Sequence, residues 1–219
     1  MSALVLADEQ VGADLATYVG RAKRHDEDGA ARLQALPAGD AGVLAVWTCV
    51  LPGAGLTRAG LVLGLRTLPL GAPPEPLDTV VALAALTDRL ARTGTASAEL
   101  PVPPTTVAAS WAAVSPPRGG WEPVGSLPAS RLYDTATAGI VEVATGTPQG
   151  AGSSAVADLR SRVWGRRVEV PGGSDGASVP AGAAFGMHVL GFLGEDPVTV
   201  HAQGPWVRLT SRAGYVLAR

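Results

Sequence analysis

Apolar residues recur at helical spacing over residues 11–24. Val11, Leu15, Tyr18, Val19 and Ala22 fall on one face, and Asp8 and Glu9 stand where a helix N-terminus favours negative charge. This predicts a helix packed on one side and closed by the charged turn RHDEDG at 24–29. The period then changes to two. ARLQAL alternates, VLAVWTCVL at 43–51 is continuously apolar, and GLVLGLRTLPL alternates again, which predicts three antiparallel strands with 43–51 in the middle. PAGDAG and PGAGLTRAG, rich in Gly and Pro, are the hairpin loops between them.

Residues 77–92 carry Leu83, Leu86 and Leu90 on one side and Val80, Val81 and Ala84 on another, the pattern of a helix buried over most of its circumference. From 93 to 128 the chain is rich in Pro, Gly, Ser and Thr around one short strand candidate at 105–114, so this stretch is the natural join between halves. Helical spacing returns in Ala129, Leu132, Tyr133, Ala136, Ile140 and Val143, with Ser126 as N-cap and Gly146 and Pro148 as the stop. A second helix is expected over 154–165. A third, almost wholly apolar, runs from Pro180 to Leu193, and VTVHAQ, PWVRLTS and GYVLAR form a terminal three-stranded meander.

The expected fold is therefore α+β, with two packed halves each holding a three-stranded antiparallel sheet and helices. The divisions are 1–92 (αβββα), a 93–128 connector, and 129–219 (αααβββ). A helix followed by three strands occurs at 11–68 and again at 180–218, so the halves are candidates for a pseudo-symmetric pair.

Composition narrows the function classes more than it selects one. The chain has 219 residues, is 47% hydrophobic and carries a net charge of −2, so it can bury a core and has no global field for polyanions. Its apolar runs are too short to span a bilayer, and the opening MSALVLADEQ has no basic segment followed by an apolar run and a cleavage site. With the lone Cys49 read as an inert core residue, a cytoplasmic location is expected. Asparagine is absent, and lysine and isoleucine occur once each, as Lys23 and Ile140. These residues have AT-rich codons, so the arginine bias reads as GC-rich codon usage rather than as a nucleic-acid signature.

Most chemical motifs fail on the residues present. A Walker A loop needs Gly-Lys-Ser/Thr, and Lys23 lies inside a helix. The spacing of three histidines and one cysteine matches no zinc site, and His25, Asp26, Glu27 and Asp28 do not fit the calcium-loop register. No metal or cofactor is expected. Gly172-Gly173-Ser174-Asp175-Gly176 matches G-x-S-x-G, which would make Ser174 a hydrolase nucleophile if a strand led into it and a helix began beside it. His188 shares a helix face with Phe185, Val189 and Phe192 and reads as a hydrogen-bonded core or interface residue.

Two constellations remain. In the meander, alternation sends Val198, Val200, Val207 and Leu209 to one face and Thr199, His201, Trp206, Arg208 and Thr210 to the other. Trp, His and Arg together suit a planar or anionic ligand, or an anchor for a protein partner. The segment DLRSRVWGRR supplies Arg160, Arg162, Arg166 and Arg167, a phosphate-binding candidate flanked by Asp158 and Glu169. The leading expectation is a non-enzymatic binding or assembly protein that engages a protein partner or a second copy of itself through the apolar helix, the terminal sheet face bearing His201, Trp206 and Arg208, or the groove between halves. The alternative is a nucleic-acid-associated regulator using the four arginines, and a third reading is the Ser174 hydrolase.

Overall fold

A computed structural model describes residues 3–93, 98–147, 152–174 and 176–219. The fold is α+β, with helices, a large antiparallel sheet and two small two-stranded sheets. The chain divides into two compact units, Met1–Val50 with Leu65–Ser115, and Leu51–Gly64 with Pro116–Arg219. Among the described residues no helix is long and apolar enough to cross a membrane.

The first unit opens with β1 (Ala3–Val5) and α1 (Glu9–His25). Asp8 caps α1 by accepting a 2.8 Å bond from the Val11 N–H, and Glu9 adds negative charge to the first turn. The expected stripe Val11, Leu15, Tyr18, Val19 and Ala22 is the buried one. Next come β2 (Ala30–Ala38), β3 (Ala41–Ala54) and β4 (Ala59–Leu70), whose 51–64 portion belongs to the second unit. Leu44, Val46, Thr48 and Val50 of β3 are buried, whereas Ala45, Trp47, Cys49 and Leu51 are only partly so. An apolar run that looks continuous is thus a two-faced strand, and Cys49 is half-buried rather than a core residue. Burial raises the pKa of the Tyr18 phenol, partly offset by its 2.9 Å hydrogen bond with the Thr48 hydroxyl.

The expected helix over 77–92 is half strand. β5 (Leu77–Ala82) pairs with β2 from Ala30↔Ala82 to Ala35↔Leu77, and α2 begins only at Leu83 (Leu83–Thr93). The β-branched run Thr79-Val80-Val81 suits a pleated surface better than a helix, and an available strand edge decides between them. The sheet order here is β5-β2-β3-β4. β6 (Glu99–Pro101) pairs with β1. The strand expected at 105–114 is not formed. That stretch makes one sheet-like bond, Val107 N–H to Val80 O at 2.9 Å, and then a 3₁₀ turn, Ser110–Ala113, anchored by buried Trp111. Proline pairs at 103–104 and 116–117 bracket it and remove the donors a ladder would need.

The second unit begins its own chain segment with β7 (Glu122–Leu127), which the sequence pattern did not reveal. α3 (Ala129–Thr145) and α4 (Ser153–Gly165) lie where expected, although Ser126 is in β7 and Pro128 occupies the N-cap of α3. Gly146 caps the other end of α3, and Pro148 lies outside the described residues. β8 (Arg167–Glu169) and β9 (Ser178–Pro180) form a short hairpin, and α5 (Ala181–Val189) follows directly. α5 is buried as its composition demands but stops before Leu193. Gly191 takes φ +67°, its N–H bonds back to His188 O, and Phe192 N–H returns to Met187 O at 2.8 Å, a left-handed glycine close of the helix. Trp164 stacks on Phe185 at 4.3 Å between α4 and α5.

The meander is present as β10 (Val198–Gln203), β11 (Trp206–Ser211) and β12 (Gly214–Ala218). The order in this unit is β4-β12-β11-β10-β7, with β7 antiparallel to β10. A bulge shifts the β7–β10 register between Val200 and His201, where Gly125 adopts φ +141°.

A polar face on the C-terminal sheet

Cross-strand pairs in the meander assign each residue to a face, because directly opposed residues point the same way. Val200 faces Leu209, and Leu209 faces Val216. Val216 lies beside Gly186 of α5, so this set is the helix-covered side, and Val200, Leu209 and Val216 are all fully buried. The other side carries the pairs Thr199 with Thr210, His201 with Arg208 and Gln203 with Trp206, and adds Tyr215 opposite Thr210. The expected face composition is therefore realised.

Its members differ in exposure. Trp206 is only 4% exposed, and the Arg219 guanidinium lies 5.9 Å over its ring. It supports the sheet and presents no surface to a ligand. His201 and Arg208 are half-buried. The aromatic contacts of Arg208 come instead from Trp121, whose ring centroid is 4.8 Å from the guanidinium carbon, and from Tyr215 at 5.9 Å. Trp121 precedes β7 and is held by its indole N–H donating to Pro117 O at 3.2 Å. Neither aromatic was legible as a site residue. Tyr215 follows from the meander register once β11 and β12 are paired, whereas Trp121 comes from a Pro/Gly-rich segment with no periodicity.

Among the described residues, four buried polar atoms on this face have no hydrogen-bond partner: His201 Nδ1, Gln203 Oε1, Arg208 Nε and Thr210 Oγ1. Burial lowers the pKa of His201, and the positive charge of Arg208 lowers it further. Arg208 is itself held below the ordinary guanidinium value by burial, with a small opposing contribution from Tyr215. Among the described residues no carboxylate pairs with Arg208.

The outer face of the first unit's sheet solves the same problem internally. Arg32 makes two 2.7 Å bonds to Asp78 and a third, from Nη1, to Ala112 O at 2.8 Å. Gln34 donates to Asp78 and accepts from the Trp47 indole, both at 2.9 Å. Every polar side chain of that ladder has a partner, and the pKa of Arg32 is raised, chiefly by its hydrogen bond to Asp78.

The other sequence candidates are dispersed or occupied. Arg160 and Arg162 are exposed on α4, two residues apart and so on different sides of the helix. Arg166 binds Glu142 of α3 through two bonds of 2.5 and 2.6 Å, which lowers the Glu142 pKa. Arg167 donates to the Ser178 hydroxyl at 3.0 Å and to Ser178 O at 2.6 Å. Ser174 sits in the turn of the β8–β9 hairpin, with β9 rather than a helix after it, so the elbow that would activate a serine is not formed. Asp175 of that motif lies outside the described residues. His188 makes an edge contact with Tyr133, ring centroids 5.3 Å apart. Among the described residues no group of three or more His, Cys, Asp or Glu could hold a metal ion.

The class that fold and face define is an α+β protein with one self-satisfied and one unsatisfied polar sheet face. Residues 1–112 match the family model described as "Domain of unknown function (DUF8010)", and residues 116–219 match that described as "Domain of unknown function (DUF8185)". The first match covers more than half of the chain, which belongs to that family. No curated protein matches it.

Proposed function

We propose that this chain is a non-enzymatic binding protein of the cytoplasm that engages a partner protein, a second copy of the chain included, through the polar face of β10, β11 and β12. The observation that carries this reading is the set of four buried polar atoms, Arg208 Nε included, that have no partner among the described residues, where Arg208 also has no counterion. An unpaired buried polar group costs about 1–3 kcal/mol, and more when charged, so such a cluster on one face calls for a complement from outside. The satisfied Arg32 ladder supports the contrast, since this chain does build closed networks elsewhere. Engagement of Arg166 by Glu142 and of Arg167 by Ser178 favours the sheet face over the arginine segment as the working surface.

Site-selective photo-crosslinking in the native host tests this. A photoreactive residue at exposed Thr199, on the same face, is expected to give one discrete protein adduct, and the same residue at Arg160 on α4 is expected to give none. Absence of an adduct at position 199, or equal labelling at both positions, would count against the reading.

A further inference from the structure

Resting on that reading, the geometry points to a carboxylate of the partner's chain as the group that Arg208 receives, with Thr210 and His201 as its flanking hydrogen-bond partners. The three side chains are placed by the sheet itself. Thr210 lies two residues from Arg208 on the same strand and face, and His201 is the direct cross-strand partner of Arg208. Trp121 and Tyr215 lie against the guanidinium. These contacts are measured at the guanidinium carbon, and the N–H groups around it are the edge through which arginine takes a planar, bidentate carboxylate. Arg208 Nε and Thr210 Oγ1, a donor and a hydroxyl, have no partner among the described residues, and neither does His201 Nδ1.

The charge balance selects the class of anion. Arg208 supplies one positive charge, and the depressed pKa of His201 keeps the imidazole neutral near pH 7. A single cation matches a monoanion, whereas phosphate recognition ordinarily gathers several cationic groups or the N-terminus of a helix, and the second guanidinium of this face, that of Arg219, lies over the Trp206 ring and not beside Arg208. Because Nε is shielded from water, access requires a side chain to move, and Trp121 is the half-buried group that lies on the guanidinium.

The test uses the ¹⁵N-labelled full chain, with sodium acetate as the probe and sodium chloride and inorganic phosphate as separate arms. Acetate should shift the Arg208 Nε–H and Trp121 indole N–H resonances saturably, while chloride at equal ionic strength should not. Thr210→Val, which keeps shape and leaves the cation in place, should weaken acetate binding about tenfold, the worth of one charge-assisted hydrogen bond. Arg208→Gln should abolish the response at Trp121. The inference is overturned by an equal response to chloride, by a response to phosphate without one to acetate, or by a saturable response that survives Arg208→Gln. If acetate fails while the adduct at Thr199 persists, this inference falls and the partner surface stands. If acetate binds and no adduct forms, the partner reading falls and takes with it the assignment of the carboxylate to a protein chain.

Discussion

Arg32 and Arg208 are both half-buried arginines on the outer face of a sheet, and their surroundings give substitution opposite signs. Arg32→Met removes three hydrogen bonds, leaving Ala112 O without that donor and Asp78 with Gln34 but no guanidinium. With the Asp78 side chain half exposed, water recovers part of that loss, so the expected cost is about 1 kcal/mol. Arg208→Met removes a poorly hydrated cation that has no counterion among the described residues and keeps an apolar stem beside Trp121 and Tyr215. The loss of cation–π attraction is offset by relief of desolvation, so chemical denaturation should find the variant between unchanged and about 1 kcal/mol more stable. A clear destabilisation by Arg208→Met would mean that the guanidinium holds the fold together instead of serving a ligand. His201 adds a pH signature. Its folded-state pKa lies below the ordinary histidine value, so its contribution to stability is fully present above about pH 6.5 and is lost as pH falls towards the depressed value. The groups facing it are Arg208 on β11 and Pro123 across the β7 bulge. His201→Gln should remove that component from the stability–pH curve, measured as denaturation midpoints across the acid range.

Elements were legible where one periodicity prevailed and ambiguous where two structures suited the same residues. The α1 stripe, α3, α4 and the terminal meander follow from spacing alone. Residues 77–82 look helical in sequence because leucines at helical spacing continue into α2, and the competing claim of β2's free edge does not show in a local pattern. β7 is invisible for a related reason. EPVGSL has neither alternation nor β-branched richness, and it becomes a strand through its pairing with β10. The site was half legible on the same terms: alternation placed His201, Arg208 and Thr210 together, while Trp121 reaches them only through the tertiary fold. Packing between elements is also set by residues that single-sequence patterning passes over. Gly139 of α3 lies against Trp164 of α4, and a Cβ there would run into the ring, 2.7 Å from Cη2. The ring cannot yield easily because its other contact is the stacked Phe185. Gly139→Ala gains about 1 kcal/mol of helix propensity yet incurs an overpacking cost of about 1–3 kcal/mol. Net destabilisation is expected, read as a lower denaturant midpoint at unchanged slope.

At the scale of the whole molecule, the two family models part the chain between residues 112 and 116, but the second unit is not a contiguous piece of sequence. It includes Leu51–Gly64, the far part of the β3–β4 hairpin. Those residues do structural work within the unit. The Gly60 N–H donates to Arg219 O at 2.9 Å, and the Arg219 N–H donates to Leu61 O at 3.0 Å, so they pair with the C-terminal strand. Leu51 and Val62 lie against Gly182 of α5, Val62 also lies against Gly186, and Leu61, Val62 and Leu63 are all buried. A fragment of residues 116–219 would leave one edge of β12 unpaired and uncover α5, whose residues from Ala181 to Met187 are buried without exception. Burying one such aliphatic side chain contributes about 1.5–3 kcal/mol, so losing three of them together with a strand pairing removes an amount comparable to the whole stability of a domain this size. The fragment is therefore expected to show helical signal in far-ultraviolet circular dichroism without a cooperative thermal transition, and to gain one when residues 1–115 are supplied as a separate chain. A sharp, reversible melt of 116–219 alone would instead make the family boundary a folding boundary, and would show the hairpin to be an accessory to the second unit rather than one of its strands.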